Sequence, residues 1–201
     1  MIISIEGPDF VGKNTLVQLL ITNAPQHFPG KKIKVLQFPN KDTEIGRMCR
    51  ERLKASNWTE ADAAIFQLLN TAHRYEYMTD LEEGKNDSDL LLFVVRYNLS
   101  GPVYAAVDGL DATHTWNLYA WFDHVLPDYT FVVFREYSFS DLTNERDPDH
   151  YEKEEKQKKV RVLYEASSVL WPKRLGKVHH IYNSEPQQAI DEMLECLRGS
   201  L

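Results

Sequence analysis

The stretch that most constrains this chain is Ile2–Leu20, IISIEGPDFVGKNTLVQLL. The apolar run Ile2–Ile5 reads as a buried strand, and the spacing of Leu16, Leu19 and Leu20 reads as a helix. Between them, Gly7, four residues, Gly12 and Lys13 nearly spell G-x-x-x-x-G-K-[ST], in the strand–loop–helix context that gives this pattern its meaning. Glycines let successive backbone N–H groups converge on phosphate oxygens, the start of the helix adds partial positive charge, and Lys13 bridges the outer phosphates. Gly7, Pro8, Asp9, Phe10, Val11, Gly12, Lys13, Asn14 and Thr15 therefore form the candidate ATP-binding segment. Asn14 stands where a hydroxyl normally ligates Mg²⁺. Its amide oxygen is a neutral and bulkier ligand, so metal contact there is weak or routed through water. Thr15 lies one residue further around the helix and points elsewhere.

Further along, short apolar runs alternate with amphipathic stretches. Ile2–Ile5, Ile33–Phe38, Leu90–Val95, Tyr129–Phe134 and Val178–Tyr182 read as strands, which predicts a parallel sheet covered by helices on both faces. Thr59 before Glu60, with Ala63, Phe66 and Leu69 behind it, predicts an N-cap and one long helix running towards Gly84. Ser184-Glu185-Pro186 opens the last helix, with proline where its missing N–H costs nothing. No repeat or Gly/Ser linker interrupts the chain, and 201 residues suit a single domain.

A net charge of −7 leaves no cationic excess for a phosphate backbone, so a general nucleic-acid binder is excluded. Cys49 and Cys196 lack metal-ligand spacing and suit a reducing compartment. The N-terminus, which starts directly with an apolar strand, does not read as a signal peptide. The apolar runs are far shorter than the ~20 residues that span a bilayer, so the reading is a soluble, intracellular protein without a membrane partner. The segment 144–159, NERDPDHYEKEEKQKK, is nearly all charged and is either a solvated helix face or a mobile lid.

Four segments, GPDFVGKNT, FPNKDTEIG, LLNTAHRYE and RYNLSGPVYAA, resemble in order and spacing the four blocks of the thymidylate kinase family, and the similarity covers most of the chain. The resemblance implies an α/β P-loop three-layer fold with a five-stranded parallel sheet flanked by helices and a short lid. It also implies transfer of the ATP γ-phosphoryl group to dTMP with Mg²⁺, in a cytoplasmic homodimer whose partners are otherwise small nucleotides. Divergence at expected positions is compatible with a viral or phage copy working in host cytoplasm. Carried over residue by residue, Asp9 faces the acceptor near its sugar and attacked phosphate, and Lys13 holds the ATP phosphates. Arg74 grips the acceptor's phosphate, and Arg96 sits between donor and acceptor. Phe38, Ser100, Gly101 and Tyr104 line the nucleoside pocket, while Tyr151, in HYE where the family often has RYE, closes over the sugar. The loop arginine of some relatives is missing here. Members without it supply one from the lid, which points to Arg146, with Lys153, Lys156 and Lys158 as alternates.

By residue type alone the same positions read differently: Arg74 and Arg96 as surface ion-pair partners, Asp9 as a turn residue, Phe38 and Tyr104 as core. Four departures from the family pattern touch the chemistry: Asn14, Val95 in place of the fourth-block aspartate, Lys41 in place of the arginine after FP, and Asn70 in place of a phenylalanine that stacks on thymine. Lys41 exchanges a bidentate fork for a point charge. Phe66, Asn70 and Arg74 are spaced four apart and share a helix face, so Asn70 points towards the base. Two alternatives to a strict dTMP kinase follow: a deoxynucleoside monophosphate kinase with altered base preference, for dUMP or a modified pyrimidine, and a nucleotide-binding protein that has lost turnover. His73 shows no evident partner, and the tryptophans, Trp58 among them, read as packing or interface residues.

Overall fold

The run Leu90–Val95 is buried at every position. A strand apolar on both faces needs cover on both, which a parallel sheet between helix layers provides. A computed structural model, which describes residues 1–55, 57–137 and 149–199, has this architecture. The strands are β1 (Ile2–Glu6), β2 (Lys32–Gln37), β3 (Leu90–Val95), β4 (Tyr129–Phe134) and β5 (Lys177–Tyr182), in the order β2-β3-β1-β4-β5. All pairings are parallel, with Ile3 opposite Phe93 and Tyr129, and Leu36 opposite Val94. The helices are α1 (Lys13–His27), α2 (Glu44–Arg52), α3 (Glu60–Tyr75), α4 (Met78–Asn86), α5 (Ser100–Val107), α6 (Ala112–Leu118), α7 (Glu154–Glu165), α8 (Ser167–Leu170) and α9 (Pro186–Arg198).

Alternation along the strands divides the core in two. Ile3, Ile5, Leu91, Phe93, Phe131 and Val133 pack with α1 and α9 through Leu16, Leu20, Met193 and Leu194. Ile2, Leu92, Val94, Val132 and Phe134 face the other layer, where α3, α4, α5 and α7 contribute Phe66, Leu81, Val103 and Tyr164. The strand order reverses around β1, so the loop after β1 opens at the crevice where ligands of such sheets bind.

Two expectations are corrected. The long helix from Thr59 towards Gly84 is two helices, broken at Glu76–Tyr77, where the Tyr77 N–H bonds Arg74 O (3.1 Å) and the backbone leaves helical geometry. The break lets Tyr77 turn its ring onto Phe38 and its hydroxyl to Asn40 (2.8 Å). The charged run is not one solvated face. Residues 154–159 begin α7 and Gln157 is buried, while residues 144–148, with Arg146, lie outside the described residues. Among the described residues, no helix is long and apolar enough to cross a membrane.

Candidate active site

Backbone geometry in the first loop is set by approach distances. A Cβ on Gly7 (φ 135°) would lie 2.3 Å from Val133 O, and one on Gly12 (φ 84°) would lie 2.5 Å from Asn183 Nδ2. Phe10 (φ 65°) and Arg96 (φ 60°) hold the left-handed conformation without being glycine. Such strain persists where surrounding contacts overdetermine it, commonly at functional sites.

Those contacts are visible around Arg96. Its side chain pairs with Asp9, donates to the Tyr104 hydroxyl (2.9 Å) and reaches Gly7 O (3.4 Å). Lys13 Nζ bonds the same Gly7 O (3.0 Å) and also Pro8 O. The cations of the first and fourth blocks therefore meet at one carbonyl. Arg74 completes the cluster from behind: Nε donates to Tyr97 O (3.0 Å), one terminal nitrogen to Asn70 O (3.0 Å) and the other to Arg96 O (2.9 Å). A guanidinium has five N–H groups, so two remain for a ligand. Its charge also lies over the Phe38 and Tyr119 rings, 5.3 and 5.2 Å from their centroids.

Burial works against the Lys13 ammonium and, helped by the nearby Arg96 charge, holds its pKa well below the usual lysine range. Burial pushes the Asp9 carboxyl up, but Arg96, Lys13 and hydrogen bonds from Tyr104 and Gln157 outweigh it and hold the pKa below the usual range. The Asp9–Arg96 pair is thus ionised. A phosphate entering beside Lys13 supplies the negative charge that this cluster lacks.

Asp9 is also tied to the second helix layer. Gln157 Nε2 donates to Asp9 Oδ2 (2.8 Å), Gln157 Oε1 accepts from Asp9 N (2.8 Å), and Tyr137 donates to Asp9 O (3.2 Å). Nothing in the charge-rich run around Gln157 marked it out. Glu6, fully buried, accepts from Leu99 N (3.2 Å) and Ser100 Oγ (2.6 Å), which pins the start of α5 to the end of β1. Ser100 is thereby turned towards Glu6, and Gly101 is required because a Cβ there would lie 2.0 Å from the Tyr119 hydroxyl.

Asp9, Phe10, Gly12, Lys13, Asn14, Phe38, Phe66, Asn70, Arg74, Arg96, Ser100, Gly101, Tyr104 and Tyr151 line one cavity of about 400 Å³. Tyr151 stands 4.5 Å from the Tyr104 ring, held by a bond to Asp108 (2.6 Å) that also receives Trp58 (3.0 Å) and Lys156 (2.5 Å). Trp58 is thus a packing residue behind the pocket wall, against Phe66 and Tyr151 and stacked on His150 at 3.9 Å. Lys41 is exposed and outside this lining. Arg50, on α2, lines the cavity instead and is fixed by a bond to Pro39 O (2.9 Å). Sequence reasoning missed Arg50 because it lies outside the FP segment. Thr15 is exposed and stands away from the cavity, as its helical position predicts. His73 has a partner after all, Asn40 Oδ1 at 3.2 Å.

The model of the family described as "Thymidylate kinase" matches residues 5–188. The chain belongs to the thymidylate kinase family. A thymidylate kinase of Dictyostelium discoideum is 34% identical over 171 residues, covering 84% of this chain and 73% of that protein. One of Plasmodium falciparum is 30% identical over 164 residues, covering 79% and 73%. Solved thymidylate kinases share the fold at 19% identity: that of Candida albicans with a TM-score of 0.72 over 98% of this chain and 91% of its own, and that of Ehrlichia chaffeensis with 0.71 over 98% of each.

Set in that family, the departures from its pattern have locations. Val95 lines the cavity and offers no oxygen, both Asp9 oxygens are engaged by protein groups, and Asn14 is exposed at the cavity mouth. Among the described residues, no group of three or more His, Cys, Asp or Glu is placed to hold a metal. This donor set fits a divalent ion held chiefly by substrate phosphates and water, with one neutral oxygen from Asn14.

Proposed function

We propose that the chain transfers the γ-phosphoryl group of ATP to the 5′-phosphate of dTMP, giving ADP and dTDP. An oxygen of the acceptor phosphate attacks the γ-phosphorus, and the bond from that phosphorus to the β–γ bridging oxygen breaks, leaving its electron pair on ADP. Such transfer needs positioning and charge neutralisation more than covalent help. The reading is supported chiefly by one observation, the meeting of Lys13 and Arg96 at Gly7 O beside a cavity that Arg74 and Arg50 also line. Lys13 binds the ATP phosphates. Arg96 neutralises the group in transit and is aligned by Asp9, which also faces the acceptor sugar. Arg74 and Arg50 provide the remaining N–H donors on the acceptor side, with Phe38, Phe66, Tyr104 and Tyr151 as its apolar walls. Arg146 is assigned the lid cation on the family resemblance.

Asn14 would contribute the protein oxygen to a Mg²⁺ ion held chiefly by ATP phosphates and water, and the ion would supply neutralisation of the developing charge. A homodimer in the cytoplasm completes the proposal. It is supported by the exposed apolar side chains Met48 of α2 and Ile65, Leu68 and Tyr75 of α3, and size-exclusion chromatography tests it.

A coupled ADP-release assay with ATP, Mg²⁺ and dTMP tests the activity. Lys13→Ala is expected to lower kcat by about a hundredfold or more, since the phosphates lose their central cation. ATP binding without ADP release for any monophosphate would leave the protein a nucleotide-binding member that has lost turnover. Asn70, in place of the stacking ring, favours a second reading in which the accepted base is altered or broadened. A panel of deoxynucleoside monophosphates in the same assay separates the two.

A further inference from the structure

Gln67 sits on the cavity-facing side of α3 beside Phe66 and one turn before Asn70, and it lines the cavity. It is 2% exposed, and neither its amide oxygen nor its amide nitrogen has a hydrogen-bond partner. Burying both ends of an amide unpaired is costly, and buried polar groups of this kind are normally satisfied by something. Asn70 differs. Its Nδ2 donates to Phe66 O (3.0 Å), and because a carbonyl cannot face a carbonyl, that amide has one orientation and leaves Oδ1 as an acceptor.

We propose that Gln67 reads the hydrogen-bonding edge of the acceptor's base and, by turning its amide over, takes more than one pyrimidine. The inference rests on the monophosphate-kinase reading above. Thymine and uracil present an N3–H donor beside a carbonyl acceptor, whereas cytosine presents an N3 acceptor beside an amino donor. An amide that nothing else holds matches either order, since rotation by half a turn exchanges its donor and acceptor ends. The fixed Asn70 oxygen suits a donor, and both edges supply one. Replacement of the family's ring by Asn70 removes a sequence-blind stacking surface, and the neighbouring Gln67 substitutes recognition of polar atoms.

The test compares the wild type with Gln67→Leu and Gln67→Met, which keep approximate volume and remove both orphaned atoms. KM for dTMP, dUMP and dCMP is measured at saturating MgATP, together with KM for ATP. In parallel, the rise in melting temperature caused by each monophosphate and by base-free 2-deoxyribose 5-phosphate is recorded without ATP. Both variants are expected to raise KM for the pyrimidine monophosphates by about tenfold, leave KM for ATP within about twofold, and melt no lower than the wild type. Their response to the base-free phosphate is expected to match the wild type. Unchanged KM and unchanged melting shifts with all three monophosphates overturn the proposal. So does an equal loss for the base-free phosphate, and so does a wild type that rejects dCMP relative to dTMP by more than about a hundredfold, since only cytosine needs the amide turned over. If the wild type transfers no phosphoryl group, the kinase reading fails, yet the melting shifts still decide whether Gln67 touches the base.

Discussion

At the scale of single residues, one backbone atom joins the two cations proposed to hold phosphate. Gly7 O accepts from both Lys13 and Arg96, and the loop backbone can hold this position against β4 because Gly7 has no Cβ to collide with Val133 O. Asn14 is the residue whose effect is hardest to read from type alone. It is exposed at the cavity mouth, so it can reach an ion held by phosphates, but it offers a neutral amide oxygen where a hydroxyl is usual. Asn14→Thr restores that hydroxyl at the start of α1. The Mg²⁺ concentration giving half-maximal rate is expected to fall by about three- to tenfold, with KM for dTMP unchanged. A magnesium titration at fixed ATP reads this directly, and an identical titration curve would show that Asn14 makes no metal contact. The ionised Asp9–Arg96 pair explains why Asp9 is poorly placed to take over as ligand: its oxygens already receive Arg96, Tyr104 and Gln157.

At the scale of elements, α3 brings Phe66, Gln67, Asn70 and Arg74 to the cavity, and its position is fixed at its first turn. Thr59 Oγ1 accepts from Asp62 N (3.2 Å) while Asp62 accepts from Thr59 N (2.9 Å), a reciprocal cap that satisfies two donors left open by the helix start. Thr59→Ala is expected to cost about 1 kcal/mol and to lower the melting temperature by roughly 2–4 °C, read by differential scanning calorimetry. KM for the monophosphate should rise with temperature before the global transition if the first turn frays. The cap was legible in the sequence, as were the five strands, each within a residue or so, because short fully apolar runs leave a sheet with no alternative burial. The break at Glu76–Tyr77 was not legible. No Gly or Pro marks it, and it is stabilised by Tyr77 contacts with Phe38 and Asn40, residues distant in sequence. Gln157 was hidden for a related reason: a run of charges advertises solvent, and a single inward amide within it declares itself only once Asp9 is in place. Gln67 was not legible because a glutamine on a helix is ordinarily solvent-facing by type, although it shares the buried arc of Phe66, Asn70 and Arg74.

At the scale of the whole molecule, stability depends on a proton that the folded state refuses. His73 is fully buried where α2, α3 and the segment after β2 meet, edge-on to Phe38 and Tyr77, with one ring nitrogen on Asn40 and the other unpartnered. Burial, helped by the neighbouring Arg74 charge, lowers its pKa from 6.5 to about 4. An unfolded chain binds this proton below about pH 6.5 whereas the folded chain does not until about pH 4, so the contribution is complete above the unfolded value and is lost as pH falls towards the folded one. Between pH 7 and pH 5 the loss is about 1–2 kcal/mol from this residue, a window chosen to lie mostly above the titration of the carboxylates. The same window separates a global effect from a local one, because a buried imidazole can be charged only if the packing around it opens. Urea denaturation of the wild type at the two pH values is expected to show the loss, and His73→Gln, which cannot take up the proton, should lose less by that amount. Equal losses in both proteins would mean that the imidazole is protonated in place, with α2 and α3 parting enough around Asn40 to admit water while the sheet and its two cores stay intact.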